Sequence, residues 1–167
     1  MNRKHFLLQS AAGAALIMNP FRGFGRITDE TVPYNEVMVK EFVSAGHNKL
    51  DKVKQMLAEY PNLVYSRHHL GGGDFEEAIE GAAHVGDRAI AEYLIEKGAR
   101  PNIFVMTMLG ETAIVKALVE KYPTLLYAKG AHGLSLLHHA NRGGEPAKEL
   151  VEYFKSKGLN ETKFSLK

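Results

Sequence analysis

Two seven-residue stretches share one pattern 62 positions apart: Tyr60-Pro61-Asn62-Leu63-Val64-Tyr65-Ser66 and Tyr122-Pro123-Thr124-Leu125-Leu126-Tyr127-Ala128. A second pair, Glu92-Tyr93-Leu94-Ile95-Glu96-Lys97-Gly98 and Glu152-Tyr153-Phe154-Lys155-Ser156-Lys157-Gly158, recurs 60 positions apart. The pairs interleave, so the repeating unit is about half that spacing, and four units end near Tyr65, Gly98, Tyr127 and Gly158. A period of this length marks stacked supersecondary units, none of which buries its apolar face alone. Four units exceed the roughly three that such a stack needs.

Each unit carries a helical apolar pair at i, i+4: Val53/Leu57, Ile90/Leu94, Ile114/Leu118 and Leu150/Phe154. That spacing puts both side chains on one helical face. Gly98 and Gly158 suit left-handed helix ends, while Pro61 and Pro123 cannot continue a helix. A shorter helix rich in small residues precedes each of these. In the second unit Phe75, Ala78, Ile79, Ala82 and Ala83 fit a helical stripe, with Asp74 as the expected N-cap. In the fourth unit 135–140 takes the same place.

The run Ala82-Ala83-His84-Val85-Gly86-Asp87, followed by Ile90, Tyr93-Leu94-Ile95, Gly98-Ala99 and Asn102, resembles the ankyrin-repeat consensus. Gly133-Leu134-Ser135-Leu136-Leu137-His138-His139-Ala140 is similar to its Gly-x-Thr-Pro-Leu-His-x-Ala opening, with Ser135 for Thr and Leu136 for Pro. The resemblance covers 37–160 and implies an all-α solenoid of about four helix-turn-helix units with short or irregular β-hairpin fingers. It also implies a structural role for His138, whose ring would bond backbone in a neighbouring loop. Only 24 residues separate Gly86 from the equivalent Gly110, so the finger between them is expected to shrink to a turn at Arg100-Pro101-Asn102. The finger 66–74 is long and glycine-rich, and 128–134 is closer to regular length. Tyr65 and Tyr127 are expected to pack against the finger bases, and the tail stretch 160–163 to cover the last unit.

The N-terminal 25 residues read differently. Arg3, Lys4 and Arg22 are accompanied by no acid, and a basic start leads into the mildly apolar run 6–18 before Asn19-Pro20. That is the layout of an export signal. It is shorter than the roughly 20 apolar residues a membrane span needs. Asn2-Arg3-Lys4-His5-Phe6-Leu7-Leu8 resembles the twin-arginine export motif, with Lys4 in place of the second arginine. The resemblance implies a bacterial protein exported already folded; the general secretory route is the rival. The expected organisation is a signal peptide at 1–25, a lead-in at 26–36, the repeat array at 37–160 and a tail. The expected location is periplasmic or secreted, with the membrane met only in transit.

The whole chain has 21 Lys plus Arg against 19 Asp plus Glu, net +2. Removing the three signal bases leaves 18 against 19, net −1. Such balance argues against nucleic acid as a partner. Cysteine is absent, which excludes disulfides, thiolate metal sites and a catalytic Cys.

No motif carries recognisable catalysis. Gly71-Gly72-Gly73 lacks the Lys-Ser/Thr of a phosphate loop, and Ser135 lacks the glycines of a nucleophile elbow. Glu76 and Glu77 read as exposed positions in the first turn of a helix. His68-His69 and His138-His139 are adjacent pairs whose side chains diverge. His47 and His84 match in consecutive units, but packed helices about 8–10 Å apart are not expected to bring them together. No metal or cofactor is expected. The candidate binding residues are Arg67, His68, His69, Lys129 and His132 on the fingers, with Phe104 and Met106 on the short third-unit helix. The leading expectation is a non-enzymatic protein-interaction module using the finger and short-helix face, for which a neighbouring exported enzyme is one candidate partner. The alternative is a small metal-dependent or hydrolytic enzyme on the same scaffold, its pocket gathering His68, His69, Asp74 and His132.

Overall fold

Helix follows helix through most of this computed structural model, which describes residues 33–167, all within the unit spanning Thr31–Lys167. The export segment and lead-in residues 26–32 lie outside the described residues. Four helix-turn-helix pairs succeed one another: α1 (Glu36–Ala45) with α2 (Leu50–Glu59), α3 (Ala78–Val85) with α4 (Arg88–Glu96), α5 (Ile103–Leu109) with α6 (Thr112–Lys121), and α7 (Leu136–Gly143) with α8 (Lys148–Ser156). One antiparallel pair, β1 (Arg67–Gly71) with β2 (Asp74–Glu77), is the only sheet among the described residues. The fold is therefore all-α with a small hairpin. No described helix is long and apolar enough to cross a membrane.

Local chemistry accounts for the boundaries. Side chains of Asn35, Asp87, Asn102 and Ser135 each accept a backbone N–H in the first turn of α1, α4, α5 and α7. The two Tyr-Pro segments end α2 and α6 and open matching 3-10 turns at Pro61–Tyr65 and Pro123–Tyr127. The turn lies at Lys97-Gly98, and the expected turn residues Arg100-Pro101-Asn102 form a short irregular link with no strand. The finger 128–134 holds no strand pair but a 3-10 turn, Ala131–Gly133.

Two expectations about local structure are corrected. The second short helix begins at Ala78 rather than beside Asp74, because Asp74–Glu77 is drawn into the hairpin, with Arg67 opposite Glu77, His68 opposite Glu76 and His69 opposite Phe75. Gly71, Gly72 and Gly73 all have positive φ (100°, 61° and 85°), a reversal that three consecutive glycines make inexpensive. Glu76 is consequently a buried strand residue and not an exposed helical one. The buried face of α6 is also turned by one residue. Val115 and Val119 enter the core, whereas Ile114 is 46 % exposed.

The core forms two clusters. One gathers α1 to α4 around Phe42, Val53, Leu63, Ile79, Ile90 and Leu94; the other gathers α6 to α8 around Val119, Leu136, Leu150 and Phe154. Helix α5 serves both, sending Val105 and Met108 into the first and Phe104 into the second. Its neighbours α3 and α7 pack on it and on each other. The tail closes the last pair. Ser135 donates its backbone N–H to Thr162 O (3.0 Å) and its hydroxyl to Glu161 O (2.6 Å), and Phe164 N–H reaches Gly133 O at 2.8 Å. Tyr65 and Tyr127 are 47 % and 52 % exposed; the Tyr65 ring lies beside Gly98 and under Arg100, and Tyr127 meets Phe164 edge-on. His138 Nε2 lies 2.9 Å from His84 O, which ties α7 to the end of α3.

Leu150→Ala is expected to cost about 2–5 kcal/mol in urea unfolding, while Ile114→Ala stays within about 0.5 kcal/mol. Acid should also weaken the fold. Burial pushes His139 down to about 4, with nearby His138 and His84 adding to the effect and the Ser135 carbonyl opposing it. The unfolded chain then binds the extra proton between about pH 6.5 and 4, so this contribution is whole above 6.5 and lost as pH falls towards 4. Its size is on the order of 3 kcal/mol. His139→Leu should flatten that part of a stability–pH curve measured by chemical unfolding.

Candidate metal centre

Strand alternation sets the site in place. Asp74 and Glu76 are two apart on β2 and so share one face of the hairpin. That face meets three imidazoles from three other parts of the chain: His47 in the turn after α1, His84 near the end of α3, and His132 in the 3-10 turn before α7. One donor atom from each of His47, Glu76, His84 and His132 lies within 4.8 Å of every other. Glu76 Oε1 is the common point. It is 3.5 Å from His47 Nε2, 3.3 Å from His84 Nδ1 and 3.3 Å from His132 Nε2.

The outward nitrogens of His47 and His132 are engaged elsewhere. His47 Nδ1 lies 3.2 Å from both Val43 O and Ser44 O, which only accept, so Nδ1 carries a proton and in the neutral ring Nε2 turns its lone pair inward. His132 Nδ1 is 3.1 Å from Asp74 Oδ2, and its backbone N–H donates to Asp74 Oδ1 at 2.9 Å. His132 is also the one described non-glycine residue with positive φ (59°), a conformation held by those two bonds. Gly81 makes room for the His47 ring, since a Cβ there would sit 2.9 Å from His47 Cε1 and Nδ1.

Glu76 Oε1 and His84 Nδ1 are buried and make no hydrogen bond despite their short separation. The Glu76 carboxylate raises the pKa of His47, against the opposing effect of burial. Burial pushes His84 down to about 4, overriding the attraction of Glu76. A neutral, buried imidazole is a ready donor. A depression of about 450 Å³, lined by His47, Asn48, Val85, Gly86, Asp87 and Arg88, opens beside the cluster.

The expected separation of His47 and His84 is thus corrected: their ring centroids are 4.7 Å apart. Helix spacing describes axes, and an imidazole reaching from each side spans the gap. Of the seven candidate binding residues, only His132 belongs to this cluster. Arg67 is exposed and pairs with Glu77 (3.2 Å) and more loosely with Glu80 (3.8 Å). His68 is buried, contrary to its reading as a finger-surface residue, because the hairpin turns it inward. His69 is exposed and stacks on Phe75 with centroids 4.4 Å apart. Lys129 is exposed and donates to Ser165 O at 2.6 Å. Phe104 is buried and Met106 half-buried in the second core cluster, so neither forms an open contact surface. The pocket imagined for the enzyme alternative comes together only in Asp74 and His132. Sequence reasoning missed His47, Glu76 and His84. Their traces were the matched positions of the two histidines and the two-residue alternation of Asp74 and Glu76.

A second buried acid sits nearby with its partners in place. Glu80 accepts from Asn102 Nδ2 (2.7 Å) and from Glu77 N–H (2.8 Å), and burial raises its pKa. Compared with known protein families, curated proteins and solved structures, the chain matches none.

Asn102 both caps α5 and satisfies Glu80. Asn102→Ala should therefore cost more than a cap alone, about 2–4 kcal/mol, from a lost cap at roughly 1 and a buried carboxylate short of a donor at roughly 1–3. Thermal and urea unfolding check this.

Proposed function

We propose that the chain is an exported, ankyrin-type repeat module that holds a protein partner against its finger, the short helices expected to share that face being turned into the core. The observation that carries the reading is the β1–β2 hairpin, which presents Leu70 (43 % exposed) and Phe75 (45 % exposed) beside His69 and Arg67. Exposed aromatic and arginine side chains are the residue types on which interfaces most depend. The ring stack of His69 on Phe75 holds both side chains in one arrangement, which reduces the ordering cost of association. Four successive helix pairs and the matching Tyr-Pro turns support the repeat reading, and such scaffolds offer broad, extended surfaces. The basic, then apolar, N-terminal sequence supports export to the periplasm or beyond, where a neighbouring exported enzyme is a candidate partner.

A second reading, a small metal-dependent or hydrolytic enzyme, is favoured by one observation: the His47–Glu76–His84–His132 cluster beside an open depression. Its serine version has less to draw on, since Ser135 is buried and its hydroxyl serves both the start of α7 and Glu161 O. Hydrolysis that disappears on chelation would favour this reading.

The test of the binding reading is quantitative capture of partners from a bacterial envelope extract, using the mature chain and two finger variants. Leu70→Asp and Phe75→Ala should each lower recovery of the same partner at least ~10-fold while leaving the unfolding temperature within a few degrees. Ile114→Ala, exposed elsewhere, should retain it. Equal recovery by all variants would remove the finger from the interface.

A further inference from the structure

We propose that His47 Nε2, Glu76 Oε1, His84 Nδ1 and His132 Nε2 form a four-coordinate site for Zn²⁺ that fastens the finger to the helix pairs. The inference stands on the cluster alone and does not rest on the partner-binding reading. Zn–N and Zn–O bonds of about 2.0–2.1 Å at tetrahedral angles place neighbouring donors about 3.3 Å apart. The three separations from Glu76 Oε1 are 3.5, 3.3 and 3.3 Å. They match three of the six edges of a coordination tetrahedron, and the donors on the three histidines lie within 4.8 Å of one another. Glu76 Oε1 and His84 Nδ1 make no hydrogen bond, so the three contacts are electrostatic ones centred on a single oxygen.

The donor set selects the ion. Three imidazoles and one carboxylate suit zinc and its late first-row neighbours, whereas calcium and magnesium take oxygen ligands. Four protein donors make a closed, structural arrangement rather than one with a position kept for substrate. Three neutral imidazoles and one carboxylate leave a bound divalent ion at net +1, which Asp74 offsets from the next layer. Asp74 also orients His132 through Nδ1, and the Val43 and Ser44 carbonyls do the same for His47, the outer contacts that metal-bound histidines ordinarily have. The side chains of His47 and His132 are 27 % and 34 % exposed, which gives an ion its way in. The four ligands come from the turn after α1, from β2, from α3 and from the turn before α7. One ion thus joins segments up to 85 residues apart, from His47 to His132.

The experiment uses the full chain, stripped with a chelator and dialysed, then titrated with Zn²⁺ against a chromogenic chelator and separately with Co²⁺. One Zn²⁺ per chain, a rise in unfolding temperature on loading, and the intense visible bands of tetrahedral Co²⁺ are the expected results. Glu76→Gln, which keeps shape and removes charge, should weaken Zn²⁺ binding at least ~10-fold, and Asp74→Asn, a positioning change, by about 10–100-fold. Should Glu76→Gln lose its far-UV circular dichroism, His132→Asn takes its place, since Asn tolerates the left-handed backbone there. Absence of stoichiometric uptake would overturn the site, leaving a His47–Glu76 ion pair as the reason for the cluster. So would the weak spectrum of octahedral Co²⁺, or Zn²⁺ affinity unchanged in a folded ligand variant.

Discussion

Everything in this fold depends on apolar surface shared between successive helix pairs. Helix α5 shows why. Its seven residues, Ile103–Leu109, include one polar side chain, Thr107, which is buried and returns its hydroxyl to Ile103 O. Such a helix has no face to offer water. It is stable only because Val105 and Met108 fill one cluster while Phe104 fills the other. At roughly 25 cal/mol per Å² of apolar surface removed from water, neither cluster closes without the neighbour's contribution. The small side chains Ala78, Ala82 and Ala83 on α3 follow from the same demand, since α1, α5 and α7 all pack against it.

Close packing has a polar consequence at the base of the hairpin. Pressing β2 and α3 against their neighbours buries two acids, Glu76 and Glu80. A buried carboxylate is costly unless its oxygens find donors. Glu80 finds them in Asn102 Nδ2, the Glu77 N–H and, at longer range, Arg67. Glu76 instead meets three imidazoles at comparable distances, and His47 and His132, when neutral with the proton on Nδ1, turn Nε2 lone pairs towards it. Lone pairs and a carboxylate repel one another without a positive charge among them. The same packing that solves the problem for Glu80 therefore leaves Glu76 in need of a cation, whether proton or metal.

The helices were legible because a 3.6-residue period leaves a strong trace even in a single chain. Val53/Leu57, Ile90/Leu94 and Leu150/Phe154 all place their side chains in or beside the core, and Gly or Tyr-Pro ends each helix as its chemistry requires. The period fails where apolar residues are too many to choose among. In Thr112–Lys121, Ile114, Val115, Leu118 and Val119 offer two faces about 100° apart, and only the neighbouring pair decides between them. The hairpin was hidden for a different reason. Phe75, Ala78 and Ile79 satisfy a helical stripe, and Asp74 is a good cap, so local signals agree on a helix. Three left-handed glycines reverse the chain first, and four residues then pair with β1 before the helix can begin.

That single shift also explains why the cluster was less legible than the fold. As a helix, 74–77 would scatter Asp74 and Glu76 about 200° apart around its axis; as a strand it puts them on one face, reaching the same histidine. His47 and His84, in matching positions of consecutive pairs, then find a carboxylate between them that spacing along the chain does not reveal. The site is thus a product of the finger's departure from helical structure. The segment that breaks the stack's regularity is the one that brings its four donors together, so the finger's anchoring and the cluster's geometry are one constraint.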